Sequence, residues 1–205
     1  MHTPATPSQM RAIMIFSAIY IVASVLVSWS VGNSEFVFYI VVMALLIGAL
    51  LAVHRRVGIS ATLGWCLSLW GLFHMAGGLV PAMESWPRHE NGAVLYNVWI
   101  IPDVFKYDQF VHAYGFGIAT WLCWQALSAR TLGEDKQALR PTFGIMVLCA
   151  AGGMGLGALN EVVEFIATQT LPETNVGGYV NTGLDLVFNT IGAVIAAAVI
   201  HWRRR

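Results

Sequence analysis

The chain has 205 residues, a formal net charge of zero, 57% apolar residues and only 11% charged ones, with a mean hydropathy of +0.66. A soluble domain is typically about a quarter charged, so a water-facing globule is excluded and lipid must cover much of the surface. A neutral chain also gives no support for a nucleic-acid partner.

A membrane helix needs about 20 mostly apolar residues. The polar start, MHTPATPSQMR, does not read as a cleavable signal peptide, and the apolar run after Arg11 is long enough to span. In chain order the candidate spans are roughly 11–30, 36–53, 60–80, 108–127, 142–169 and 182–202. The expected fold is all-α: one integral-membrane domain over 1–205, a polytopic bundle of about six transmembrane helices. Short polar breaks such as Val31–Glu35 and His54–Arg56 separate the early spans. Residues 81–107, with Pro81, Pro87 and Pro102 among tryptophans and tyrosines, and the charged stretch 128–141 form longer breaks. The three cysteines, Cys66, Cys123 and Cys149, fall inside apolar runs without Cys-x-x-Cys spacing and read as small hydrophobes.

Lysine and arginine are retained on the cytoplasmic side. With both termini inside, the inner segments hold Arg11, Arg55, Arg56, Arg130, Lys136, Arg140, Arg203, Arg204 and Arg205, against Arg88 and Lys106 outside. That imbalance predicts cytoplasmic termini for a multi-pass membrane protein.

An ionisable group in hydrocarbon costs roughly 2.5–3.5 kcal/mol on insertion scales, so each one needs a reason. In this topology Glu35 begins the second helix, His74 ends the third, and Asp108 and His112 open the fourth. Asn160, Glu161 and Glu164 fall late in the fifth helix, and Asp185 and Asn189 early in the sixth. All lie toward the outer face. Asp108 and His112, Asn160 and Glu164, and Asp185 and Asn189 are four apart, and Glu161 and Glu164 three apart, so each pair shares a helix face. Such stripes face bundle interiors.

The carboxylates of Asp108, Glu161, Glu164 and Asp185 have almost no base at their depth. Crowded carboxylates either take up protons or hold a cation. With two imidazoles nearby, the candidate metal ligands are His74, Asp108, His112, Glu161, Glu164 and Asp185, and the donor set suits zinc, manganese or iron. Glu161 and Glu164 are candidate catalytic bases and Asn189 an orienting group. Plainer readings compete: His74 bonding a carbonyl, Glu161 and Glu164 as a solvated helix end, Asp185 capping the sixth helix, and Asn189 bonding between helices.

Gly153–Ala158 fits GxGxxA but lies in a membrane helix without the strand a dinucleotide fingerprint requires. Gly153 with Gly157, and Gly192 with Ala196, are small-residue faces for close helix packing, through which a second copy or a membrane-complex partner would also dock. Trp29, Trp86, Trp99 and Trp202 fit interfacial belts.

At these motifs the sequence resembles the YjdF-like inner-membrane proteins and, more distantly, the VanZ-like family. The matching segments are Leu72-Phe73-His74 with Gly77-Gly78, Tyr107–His112 with Gly115-Phe116, Asn160–Phe165, and Asn181–Asp185 with Asn189 and Gly192-Ala193. They span roughly residues 60–200. The resemblance implies a small polytopic protein and adds no reaction. The Gln and Arg that the VanZ-like pattern has before its final Asp are missing here, so its link to glycopeptide resistance is not carried over.

Three functions are consistent with these residues. The first is a metal-dependent enzyme acting on a membrane lipid or isoprenoid headgroup at the outer leaflet, by hydrolysis or group transfer, or by iron-based modification of a lipid chain. The second is a proton- or cation-coupled transporter, and the third a structural or assembly subunit of a membrane complex.

Overall fold

A computed structural model describes residues 2–32, 34–88, 93–130, 139–171, 174 and 177–203. Lys136, Arg204 and Arg205, which enter the charge argument for orientation, and Asn33 of the first break lie outside the described residues.

Among the described residues six α-helices form: α1 (Pro7–Val31), α2 (Ser34–Val57), α3 (Ala61–Leu79), α4 (Tyr107–Arg130), α5 (Phe143–Thr170) and α6 (Tyr179–Arg203). Four of them, α1, α2, α5 and α6, are long and apolar enough to cross a membrane. The other two, α3 and α4, carry His74 and the Asp108–His112 stripe, and these polar residues lower their hydropathy. The chain is therefore a helical membrane protein. Much of its apolar surface faces outward: Leu45, Leu148 and Phe165 are exposed, and Trp29 and Trp202 sit bare at helix ends, 85% and 70% exposed.

Local chemistry sets the helix boundaries. The first helix begins at Pro7, four residues before the apolar run, because Thr6 and Gln9 form a capping box and Pro7 stands at the first helical position. It stops at Gly32, whose φ of 66° supplies the left-handed cap. Ser60 caps α3 by accepting from the Leu63 N–H, and Thr142 caps α5 by accepting from that of Ile145. The sixth helix starts at Tyr179 rather than near 182. This puts Asp185 in the second turn, fully buried, and removes the capping role considered for it.

Residues 81–107 hold more order than a plain break. After a single 3-10 turn (Leu95–Asn97), β1 (Trp99–Ile101) pairs antiparallel with β2 (Phe105–Lys106) around Asp103, whose φ is 58°. Isolated bridges join Pro81 to Val94 and Arg88 to Val98.

Glycines let the helices approach closely. A Cβ on Gly192 would overlap the Ala113 carbonyl, and one on Gly117 would lie 3.0 Å from the Gly192 carbonyl oxygen, so α4 and α6 cross backbone to backbone. Gly153 gives room to Thr120 of α4, and Gly157 to the Asn189 side chain of α6. Gly153, Gly157 and Gly192, expected to offer a face to a partner, are thus used inside the chain, while Ala196 is half-buried beside the α4–α6 groove. Beneath this crossing Trp124, Met146, Cys149, Ala150, Ala193 and Ala197 close into a dry apolar cluster. In the other half of the bundle α1 packs on α3 around a buried Ser17–Ser68 hydrogen bond of 2.6 Å.

Candidate functional site: a buried carboxylate–imidazole cluster

The ends of α3 and α5 and the starts of α2, α4 and α6 meet at one end of the bundle. The α4–α6 crossing at Gly192 brings His112 and Asn189, each about one turn away, together: His112 Nδ1 lies 3.0 Å from Asn189 Oδ1. The amide oxygen can only accept, so Nδ1 donates to it and Nε2 is the nitrogen turned to the carboxylates. Nε2 faces Asp108 Oδ1 at 3.6 Å and Asp185 Oδ1 at 4.0 Å. On the other side Glu161 Oε1 is 3.6 Å from Nδ1.

Four of these groups are deeply buried, with Asp185 and Asn189 1% exposed, His112 5% and Glu161 7%. Both oxygens of Glu161, Oδ1 of Asp185 and Nδ2 of Asn189 have no hydrogen-bond partner among the described residues. Leaving a buried charged acceptor unmade costs more than the roughly 1–3 kcal/mol of a neutral one. Three other oxygens are bonded: Asn181 Nδ2 donates to Asp185 Oδ2 at 2.6 Å and to Asp108 Oδ2 at 3.2 Å. Asn160 Nδ2 donates to Glu164 Oε1 at 2.8 Å. Lys106, the one buried lysine among the described residues, donates Nζ to Asn181 Oδ1 at 2.5 Å and does not reach a carboxylate at hydrogen-bonding distance.

Two triads have ligand atoms within 4.8 Å of one another, Asp108–His112–Asp185 and His112–Glu161–Glu164. They share His112, and with Nδ1 occupied by Asn189 the first triad is the one that Nε2 faces. His74 belongs to neither. It lies across an adjoining cavity, its Nδ1 2.8 Å from the Tyr96 hydroxyl, which also donates to the His74 carbonyl at 2.8 Å. Burial pushes the Tyr96 phenol well above its ordinary range, so it remains a donor.

Of the residues singled out in the sequence, Asp108, His112, Glu161, Glu164, Asp185 and Asn189 converge, and His74 stands one residue removed, behind Tyr96. Asn181, Lys106 and Tyr96 join the site without being among its candidates in the sequence, although Asn181 belongs to a matching motif and Lys106 to the charge count. Asn181 had a signal, since it lies four before Asp185 on the stripe 181–185–189, but the helix start had been placed at 182. Tyr96 had none: it comes from the 3-10 turn and enters because Gly77 leaves space for its ring.

The fold and cluster define a class, a helical multi-pass membrane protein with a buried carboxylate–imidazole centre at one end of its bundle. Residues 12–205 match the family described as Predicted membrane protein (DUF2238), and the chain belongs to that family. It is similar to an uncharacterized protein of Thermotoga maritima, 26% identical over 102 residues, which are 49% of this chain and 50% of that one. The chain thus spans about half the length of that curated relative. No solved structure matches it.

Proposed function

We propose that the cluster holds a divalent transition metal and that the protein is a metal-dependent enzyme acting on a lipid or isoprenoid headgroup at the outer leaflet of the bacterial inner membrane. In this reading all six helices span, both termini are cytoplasmic, and the YjdF-like resemblance is kept as the finer family assignment. The observation that carries it is a buried cluster with orphaned acceptors in it: Asp185 Oδ1 and both Glu161 oxygens have no hydrogen-bond partner among the described residues, and His112 Nε2 faces Asp108 Oδ1 and Asp185 Oδ1. Carboxylates gathered round one imidazole call for a cation among them, and imidazole with carboxylate suits zinc, manganese or iron.

Asp108, His112 and Asp185 are the ligands in this proposal. Asn189 fixes the His112 tautomer, the outer-shell role that ligating histidines require. Glu161, unpaired and adjacent, is the general base, and Glu164, steadied by Asn160, shares the proton. A bound divalent ion would supply Lewis acidity to a phosphoryl oxygen.

Metal analysis of purified protein with thermal melting in detergent tests this. One equivalent of metal is expected, chelator should lower the melting temperature of wild type, and Asp108→Ala or Asp185→Ala should lose metal and melt early regardless of chelator. A wild type indifferent to chelator, with variants equally stable, would instead favour proton handling by the crowded carboxylates. Against transport stands the apolar cluster around Trp124 and Ala193. An assembly subunit would leave the orphaned acceptors without a purpose.

A further inference from the structure

Beside the cluster lies a cavity of about 60 Å³ whose walls have two characters. Its lining includes the acidic residues Glu35, Asp108 and Glu164 and the aromatic residues Phe36, Tyr39 and Tyr96. The rings are locked together with His74: Phe36 on Tyr39 at 5.8 Å between centroids, Tyr39 on His74 at 6.0 Å and His74 on Tyr96 at 5.8 Å, all edge to face. Two glycines of α3 make this wall, because a Cβ on Gly77 would overlap Tyr96 and one on Gly78 would overlap Phe36. Among the described residues no lysine or arginine lines the cavity, and Lys106 is turned to Asn181. The cavity joins the orphaned groups through Glu164, which is within 4.8 Å of Glu161 and His112, and through Asp108. Glu161, 7% exposed with both oxygens unpaired, stands behind that junction.

An anion is repelled by the carboxylates, and a neutral polyol gains neither from their charge nor from the rings. An organic cation gains from both, through charge and through cation–π attraction. Size narrows the class. At roughly 10–15 Å³ per water-sized group, the cavity admits about four to six such groups. That suits an ammonium on a two-carbon stem, and a primary ammonium offers the carboxylates three N–H donors that a trimethylated one lacks.

We propose that this cavity binds a primary alkylammonium group, the chemistry of an aminoethyl lipid headgroup or of a free short amine. The inference deepens the proposed function by naming its substrate class, and it rests on that reading only for the phosphate, which would lie toward Asp108 and Asp185; capture of the ammonium requires no metal.

The test is calorimetric titration of the full chain in detergent with ethanolamine, choline and glycerol, beside native mass spectrometry from nanodiscs of phosphatidylethanolamine, phosphatidylcholine or phosphatidylglycerol. Both are run before and after chelation. Ethanolamine should bind at least about tenfold more tightly than choline or glycerol, as expected for charge and cation–π contributions of this kind. Glu35→Gln and Tyr39→Leu should each weaken it about tenfold without changing metal content, and the melting temperature of each variant reports whether it is folded. Selective retention of phosphatidylethanolamine assigns the lipid as source, whereas binding of free ethanolamine alone assigns a soluble amine. Equal binding of all three headgroups, or unchanged affinity in both folded variants, overturns the proposal. If no metal is found but ethanolamine still binds, the enzyme reading fails and this one stands.

Discussion

Asn189 illustrates how one side chain organises the cluster. It sits opposite Gly157, where any larger residue would displace it, and its oxygen sets which nitrogen of His112 carries the proton. Replacing it by leucine keeps approximate volume and removes that acceptor. Loss of such an outer-shell partner typically costs about 10–100-fold in metal affinity, so Asn189→Leu should weaken metal binding by that amount in a competition assay with a fluorescent chelator. A melting temperature near wild type would identify the loss as orientation of His112 rather than unfolding. Metal retained at wild-type affinity would remove Asn189 from the site. The ligands must be deprotonated, so affinity should fall as pH drops through the carboxylate and imidazole range and recover as it rises. A pH-independent affinity would contradict the ligand set.

At the scale of elements, the α4–α6 crossing is the part on which the site depends. Gly192 lies against the Ala113 carbonyl, and a backbone has no rotamer with which to yield. Gly192→Ala should therefore cost about 1–3 kcal/mol through overpacking, seen as an earlier melt in detergent, and should widen the His112–Asn189 distance so that metal is lost with it. A variant as stable as wild type would mean that the helices do not touch there. The opposite end of the bundle offers a control. Gln125 of α4 holds the start of α3 twice, accepting from the Ser60 N–H at 2.9 Å and donating to its hydroxyl at 2.8 Å. Gln125→Leu leaves those groups unpaired and should destabilise by about 1–3 kcal/mol while metal content is unchanged, because no cluster residue touches it. Parallel loss of metal would show that the two ends are not independent.

For the whole molecule the decisive measurement is topology. Single cysteines at Met83 in the 81–107 segment and at Glu84 beside it should label from the outer side, and one at Arg56 only from the cytoplasm, in a background lacking Cys66, Cys123 and Cys149. Labelling of Met83 from the cytoplasm alone would reverse the bundle and move the cluster to the inner leaflet. The sequence by itself determined the material and the parts list. Its charge content required lipid, its apolar runs marked six helices, and the spacing of Asp108 with His112 and of Asp185 with Asn189 put those groups on shared faces. Those features are periodic and local, so they can be read along a line. The helix start at Pro7 lies outside the apolar run because capping chemistry, not hydropathy, places it, and α6 begins at Tyr179, three residues before its apolar run. What only the tertiary structure decided is how the faces meet: that Gly192 brings Asn189 onto His112, that Tyr96 takes His74 away from the triads, and that Phe36 and Tyr39 wall a cavity with Glu35. These depend on interhelical distances and on an irregular loop, and neither leaves a period in the sequence.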